Sequence, residues 1–463
     1  MKPSIPQGTR DFSPAEVKRR QYILSTLRDI FEIYGFQPLE TPAMENLVTL
    51  TGKYGEEGDR LIFKILNNGL HEKKETDKQK LHAEWSRLLE KPYSSPVVTE
   101  RALRYDLTIP FARYVVMHQN ELALPFRRYQ MQPVWRADRP QRGRYREFWQ
   151  CDCDVVGSGS LINEAELLGI YRAAFHKLGL PGVTVKINSR KILAGLAEIA
   201  GIPDQMMEMT IALDKLDKIG WEGVSRELAQ RGVGDQGIGH IENVIGIGGS
   251  NEEKLRALRE TMAGSETGLK GIAELEQTIT YHQSLADRSW ESDIAVDISL
   301  ARGLNYYTGV IIEVTTDAVK MGSIGGGGRY DDLTGLFGLK GISGVGISFG
   351  IDRIYDVLEE LNLFPAAVGT GAGTMIVNFG GAAELYALDA LKQLRAQGIA
   401  VELYPEPAKF DRQMKYANKR GFSFVLLPGD EEREKRMFSI KNYKTGKQQM
   451  LPLNEIISML QTN

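Results

Sequence analysis

The stretch Phe126–Gly157, FRRYQMQPVWRADRPQRGRYREFWQCDCDVVG, constrains the fold more than any other part of the chain. Its two ends alternate with period two and its middle is polar, which predicts two antiparallel strands joined by a long loop. On the first strand Tyr129, Met131, Pro133 and Trp135 share one parity, and Arg128, Gln130, Gln132 and Arg136 share the other. On the second, Trp149, Cys151, Cys153 and Val155 face one way, while Gln150, Asp152 and Asp154 face the opposite way. One face is therefore apolar, and the other gathers guanidinium, amide and carboxylate groups. A solvated surface would give the same alternation, and Pro133 weighs against a central strand. The rest of the chain has to decide between a surface and a site.

A chain of 463 residues exceeds what one hydrophobic core accommodates, which implies two to four domains. With 42% apolar and 25% charged residues and a net charge of -3, the composition is that of an ordinary soluble protein. No apolar run is long enough to span a membrane and MKPSIPQGTRDFSP lacks a signal-peptide pattern, so a cytoplasmic location and no membrane partner are expected. The only cysteines, Cys151 and Cys153, are too close along one strand for a good disulfide and too few for a zinc site. They are expected as buried thiols in a reducing compartment.

Along the chain, Ser13-Pro14 opens a helix whose apolar positions run to Tyr34, after which FQPLETPAME is extended. HEKKETDKQKLHAEWSRLLE, ending at Glu90, is a polar, partly helical surface insertion. In TERALRYDLTIPFARY, Asp106 and Thr108 stand at a strand-like spacing of two. A helix is expected over Asn163–Leu178 and a strand at VTVKIN. From Ser189 to His282 helical periodicity dominates, the mark of a helical module inserted in a β-rich domain. Strand character returns at Ile294–Val314, Gly322–Gly350 is glycine-rich, and a helix follows from Asp352 to Leu361. Beyond the GTGAGT linker, alternating strands and helices predict a small, mostly parallel α/β domain. From Met375 onward thirteen Lys/Arg stand against ten Asp/Glu, so this part is about +3 and the remainder about -6. A local basic surface of this kind suits contact with phosphates.

Several chemistries are excluded. There is no phosphate-binding G-x-x-x-x-G-K-[ST] and no H-E-x-x-H. GISFG at Gly346–Gly350 matches a nucleophile elbow, but no histidine follows His282 to serve as its base. The glycines of GVGISFG lack dinucleotide-binding spacing. What remains is a set of arginines in structured contexts: Arg136 at a strand end, Arg302 in DISLARGLNYYTG, and Arg353 opening a helix. Such a set can hold a polyanion by guanidinium forks.

These stretches together resemble the histidyl-tRNA synthetases, a family of class II aminoacyl-tRNA synthetases, over nearly the whole chain. GTRDFSP resembles the family's opening pattern, YGFQPLETPAME its motif 1, the hairpin its motif 2, and GVGISFGIDRI its motif 3. ARGLNYY at Ala301–Tyr307 and GGGGRYDDL at Gly325–Leu333 resemble the two stretches peculiar to histidine enzymes, with Asn305 where aspartate is usual.

The resemblance implies an α+β fold: a class II synthetase-like antiparallel-sheet catalytic domain with a helical insertion, plus a C-terminal α/β anticodon-binding-like domain. The implied boundaries are 1–186 and 291–366 for the catalytic domain, 187–290 for the insertion and 372–463 for the anticodon-binding domain. The implied reaction joins histidine and ATP into histidyl-adenylate, then transfers histidine to the 3′ end of tRNA(His), with Mg²⁺ on the outer phosphates, in a homodimer. Asp106, Thr108 and Gln150 would hold the α-amino end of histidine, with Leu107 among the histidine-binding residues. Asp154 would accept from the imidazole, enclosed by Tyr306 and Tyr307. Arg136 would grip the α-phosphate of ATP, Arg144 and Arg353 the outer phosphates, and Arg302 would lie against the α-phosphate beside the substrate carboxylate. Arg136 and Arg302 are thus the implied catalytic residues, and no metal ligand is implied. A regulatory paralogue without catalysis, or a synthetase for another amino acid such as proline or threonine, would share parts of this pattern. The former is expected to lack the C-terminal domain, and the latter to lack ARGLNYY.

Overall fold

The computed structural model describes residues 2–90, 95–285, 294–301, 306–366, 368, 373–443 and 445–462. Two compact units result: Met1–Asp11 with Arg20–Leu363, and Phe12–Arg19 with Phe364–Asn463.

The first unit is built on an eight-stranded sheet. Its strands lie in the order Gln37–Pro38, Phe126–Trp135, Glu147–Val156, Gly344–Gly350, Gly325–Arg329, Val310–Thr316, Val183–Ser189 and Ile294–Val296. All neighbours are antiparallel except the two outermost pairs, which are parallel. The hairpin forms as its alternation requires, with Arg128 opposite Asp154, Gln130 opposite Asp152, and Gln132 opposite Gln150. Pro133 is tolerated because Gln37–Pro38 covers its strand only at Arg128 and Tyr129, leaving an open edge further along.

The apolar face of the sheet packs under the part of helix Pro14–Ile33 from Arg20 on and under helix Ile162–Lys177. There Phe31 meets Tyr129 at 5.5 Å between centroids, and Tyr171 meets Phe349 at 4.7 Å. Cys151 and Cys153 lie on this face as free, fully buried thiols. The polar insertion is the helix Glu75–Glu90, which buries none of its residues.

Helices from Arg190 to Leu285 fill the helical stretch. Arg190–Ile199 and Glu266–Leu285 approach so closely that a Cβ on Gly195 would lie 2.6 Å from the Gly268 Cα. His282 ties the second of these helices to Ile162–Lys177: its Nδ1 donates to the Ala165 carbonyl and its Nε2 accepts from Arg172, each at 3.1 Å. Burial holds this imidazole below its ordinary 6.5. Its contribution to stability is therefore complete above pH 6.5 and is lost as pH falls through the folded-state value. Urea midpoints should drop between pH 8 and pH 5 in the wild type, and drop less in His282→Gln; an equal drop in both would remove His282 from the acid response.

The second unit carries a five-stranded sheet in the order Val401–Leu403, Thr374–Ile376, Phe424–Leu427, Phe438–Asn442, Gln448–Leu451. The first three strands are parallel and the last two pairs are antiparallel, so the sheet is mixed where a mostly parallel one was expected. The added hairpin falls in a lysine-rich stretch whose charge hides its strand pattern. Phe438 and Ile440 nevertheless point into the core.

Candidate functional site

The polar face of the hairpin is no solvated surface. Arg128, Gln130, Asp152 and Asp154 are each at most 3% exposed. The glycines of the next two strands make room for them. A Cβ on Gly346, which pairs with Asp154, would sit 1.9 Å from that carboxylate. A Cβ on Gly328 would sit 2.9 Å from the Tyr307 ring. The glycine runs are therefore required by the close approach of buried side chains to bare backbone.

Asp154 accepts from the Tyr330 hydroxyl at 2.5 Å and lies 2.9 Å from Arg128 Nη2. That ion pair is close in distance but not aligned as a hydrogen bond, since Asp154 Oδ2 has no hydrogen-bond partner. Asp106 accepts from Tyr54 at 2.8 Å, from Tyr306 at 3.2 Å and from the backbone N–H of Ile109 at 3.2 Å. This last contact corrects the strand-like reading of Asp106 and Thr108. Thr108 begins the helix Thr108–Met117, and Asp106 binds an N–H of its first turn, as anionic side chains at helix starts do. Leu107, fully buried, turns its carbonyl to Arg128 at 3.3 Å.

Gln150 donates to the Ser348 hydroxyl at 2.9 Å and accepts from Arg136 at 3.5 Å. Arg136 is held by the Tyr105 carbonyl at 3.0 Å, its plane 4.2 Å above the Tyr105 ring. Tyr306 and Tyr307 meet edge to face at 5.1 Å. Asp106, Leu107, Thr108, Arg136, Gln150, Asp154, Tyr306 and Tyr307 thus belong to one connected neighbourhood. A second lies along the hairpin loop, where Arg144 pairs with Asp138 at 2.8 Å. Arg353 donates there to the carbonyls of Gly143 at 2.8 Å and Ser323 at 2.6 Å. Arg302 and Asn305 lie outside the described residues.

Arg128, Asp152, Tyr54, Tyr105, Tyr330 and Ser348 complete the neighbourhood without having been assigned from sequence. The parity of the hairpin already put Arg128 and Asp152 on the right face, and Tyr105, Tyr330 and Ser348 lie in stretches already singled out, RYDLT, GGGGRYDDL and GVGISFGIDRI; nothing local marked Tyr54. Burial raises the pKa of all three carboxyls, that of Asp152 to about 7, while Arg136 opposes the shift at Asp106 and Arg128 opposes it at Asp152 and Asp154. Such a neighbourhood favours a ligand carrying cationic or N–H donor groups. Among the described residues no group of three or more His, Cys, Asp or Glu side chains could hold a metal ion. An ion borne mainly by substrate phosphates needs only one or two protein carboxylates.

A largely antiparallel sheet with a motif-2-like hairpin, glycine-lined strands and arginines at one end defines the catalytic unit of a class II aminoacyl-tRNA synthetase. The family model "Histidyl-tRNA synthetase" matches residues 94–354, and "Anticodon binding domain" matches 374–463. A histidine–tRNA ligase of Christiangramia forsetii is 54% identical over 462 residues, covering 99% of both chains. One of Bacteroides fragilis is 50% identical over 459 residues, again covering 99% of both. The crystal structure of histidyl-tRNA synthetase from Nostoc sp. superposes with a TM-score of 0.81 at 30% identity, covering 100% of this chain and 99% of that one. The chain belongs to the histidyl-tRNA synthetase family. It is an aminoacyl-tRNA synthetase, a ligase with ATP as a substrate.

Proposed function

We propose that this histidine–tRNA ligase, which joins histidine to tRNA(His) with ATP, holds its histidine between Asp106 and Asp154. The carrying observation is a pair of buried carboxylates, each fixed by a tyrosine hydroxyl: Asp154 on the same face of the sheet as Gln150, and Asp106 at the start of the helix Thr108–Met117. Asp106, Thr108 and Gln150, with Leu107 alongside, receive the α-ammonium end. Asp154 accepts an imidazole N–H between Tyr306 and Tyr307.

The substrate carboxylate attacks the α-phosphorus of ATP in line and pyrophosphate leaves; the terminal ribose hydroxyl of tRNA then displaces AMP. Neither step needs a protein nucleophile, so catalysis is positioning and charge stabilisation. Arg136 and Arg302 act at the α-phosphate, and Arg144 and Arg353 at the outer phosphates. Mg²⁺ would accompany those phosphates and neutralise their charge, and no protein ligand is assigned to it.

The division into 1–186, 187–290, 291–366 and 372–463, the homodimer and the cytoplasmic location belong to the same reading. It is supported by the family match and by the absence, among the described residues, of a helix able to cross a membrane. The extent of the two family matches also favours this reading over a regulatory paralogue lacking the C-terminal part.

ATP–pyrophosphate exchange with each standard amino acid tests the reading: exchange should depend on histidine, and dependence on another amino acid would overturn it. The C-terminal unit serves tRNA. It presents Phe379 and Phe410, 43% and 42% exposed and stacked at 6.3 Å, a surface on which unpaired bases can stack. Ending the chain near Gly369 should spare adenylate formation more than tRNA charging, provided the dimer survives. Unchanged charging would remove tRNA binding from this unit.

A further inference from the structure

Arg128 is sealed in the sheet with no exposed surface, yet none of the roles above belongs to it. Its Nη2 stands 2.9 Å from Asp154 and 3.3 Å from the Leu107 carbonyl, so one guanidinium spans both ends of the histidine-binding neighbourhood. Nη1 donates to Gln130 at 3.1 Å, and the plane rests 4.2 Å over the Phe111 ring. Its Nε has no hydrogen-bond partner. Asp152, on the same face as Asp154 and 3% exposed, also keeps one oxygen without a hydrogen bond. An apolar side chain would fill this place without the cost of burying an ion. The arrangement therefore calls for a reason other than packing.

We propose that Arg128 is a positioning residue for histidine: it holds the Asp154 carboxylate in place and braces the Leu107 carbonyl beside Asp106. Both ends of the amino acid then meet acceptors set before it arrives. The inference rests on the reading of Asp154 as the imidazole acceptor.

The groups facing Asp154 define what should titrate. Arg128 and Gln130 come from the neighbouring hairpin strand, and Asp152 from its own. Gly346 and Ser348 belong to the strand on the other side, while Tyr330, Tyr307 and Asp106 come from the surrounding loops. Burial raises the Asp154 pKa, and Arg128 is the largest influence against it, followed by Tyr330. Removing the cation leaves burial less opposed, so Asp154 takes up its proton at higher pH. A protonated Asp154 is a poorer acceptor, and histidine binding should weaken first on the acid side.

The test is KM for histidine and for ATP in pyrophosphate exchange from pH 6 to pH 9. Each variant is divided by wild type at the same pH, so that the titration of histidine itself cancels. Arg128→Met should raise the histidine KM by roughly tenfold or more at pH 6, with the ratio shrinking toward pH 9, because one unit of pKa displacement is a factor of ten in protonation. KM for ATP should stay within about twofold, and Arg128→Lys should restore part of the loss since charge returns without the fork.

Asp152→Asn keeps the shape and needs no refolding around a lost cation. Burial pushes the Asp152 carboxyl up while Arg128 opposes the shift, so its charge adds more to the attraction for a cationic substrate as pH rises. The Asp152→Asn ratio should rise from pH 6 toward pH 9. An Arg128→Met ratio independent of pH would reduce Arg128 to packing and overturn the proposal; should Arg128→Met not fold, an Arg128→Lys histidine KM equal to that of wild type at every pH overturns it. Asp154→Asn separates the two readings. If its histidine KM is that of wild type, the Asp154 assignment itself has failed; if it rises while the other ratios stay flat, only the role of Arg128 has.

Discussion

Single-turnover formation of histidyl-adenylate should slow on the order of 10²–10³ when Arg302 is replaced by alanine, a loss of roughly 3–4 kcal/mol of transition-state stabilisation. The chain leading to this position is buried and hydrogen-bonded. Leu300 and Ala301 are each 5% exposed, and the buried Asn188 amide donates to the carbonyls of Ile298 at 3.1 Å and Leu300 at 2.9 Å. On the far side, Tyr306 reaches Asp106. As charge redistributes about the α-phosphate, a guanidinium can bridge two oxygens where an ammonium serves one. Arg302→Lys should accordingly recover only part of the rate. A surface arginine would change stability by no more than about 0.5 kcal/mol and activity hardly at all. A wild-type rate for folded Arg302→Ala, at saturating ATP and histidine, would falsify the assignment.

Replacing Asp154 by alanine should raise the histidine requirement far more than the ATP requirement. A buried acceptor rejects ligands that leave it unpaired, which can reach roughly 10⁴-fold between competing substrates. Here the acceptor is 2% exposed and its second oxygen already takes the Tyr330 hydroxyl, so an incoming N–H has a defined place to bind. The measurement is KM for each substrate in pyrophosphate exchange. Parallel losses for histidine and ATP would point to a structural role, with Asp154 serving mainly to hold Arg128 and Tyr330.

Much of this was legible in the sequence because strand alternation is a strong local signal. The parity of Arg128, Gln130, Asp152 and Asp154 gave their common face, and the pairing of the hairpin agrees with it. Parity does not say what covers a face. That Tyr330 would reach Asp154, or Tyr54 reach Asp106, depends on partners 176 and 52 residues away in the chain. The spacing of Asp106 and Thr108 misled for a related reason: two residues cannot distinguish a strand from a helix start, and Ile109 takes up the carboxylate at the helix. In the second unit, Lys435, Arg436 and Lys441 mark a charged stretch, and the strand Phe438–Asn442, which contains Lys441, is hidden within it.

The position of Gly344–Gly350 in the sheet has a consequence for synthesis. This strand lies between Glu147–Val156 and Gly325–Arg329, yet it leaves the ribosome roughly 190 residues after the hairpin it completes. At ~5–20 residues per second the hairpin waits on the order of ten to forty seconds with one long edge unpaired. An edge exposed for that long invites pairing with other nascent chains, and inward-pointing charges are a known guard against it. Arg128, Asp152 and Asp154 are such charges. While the strand waits they keep its face wet and its neighbours at a distance, and the glycines of the arriving strand close over them last.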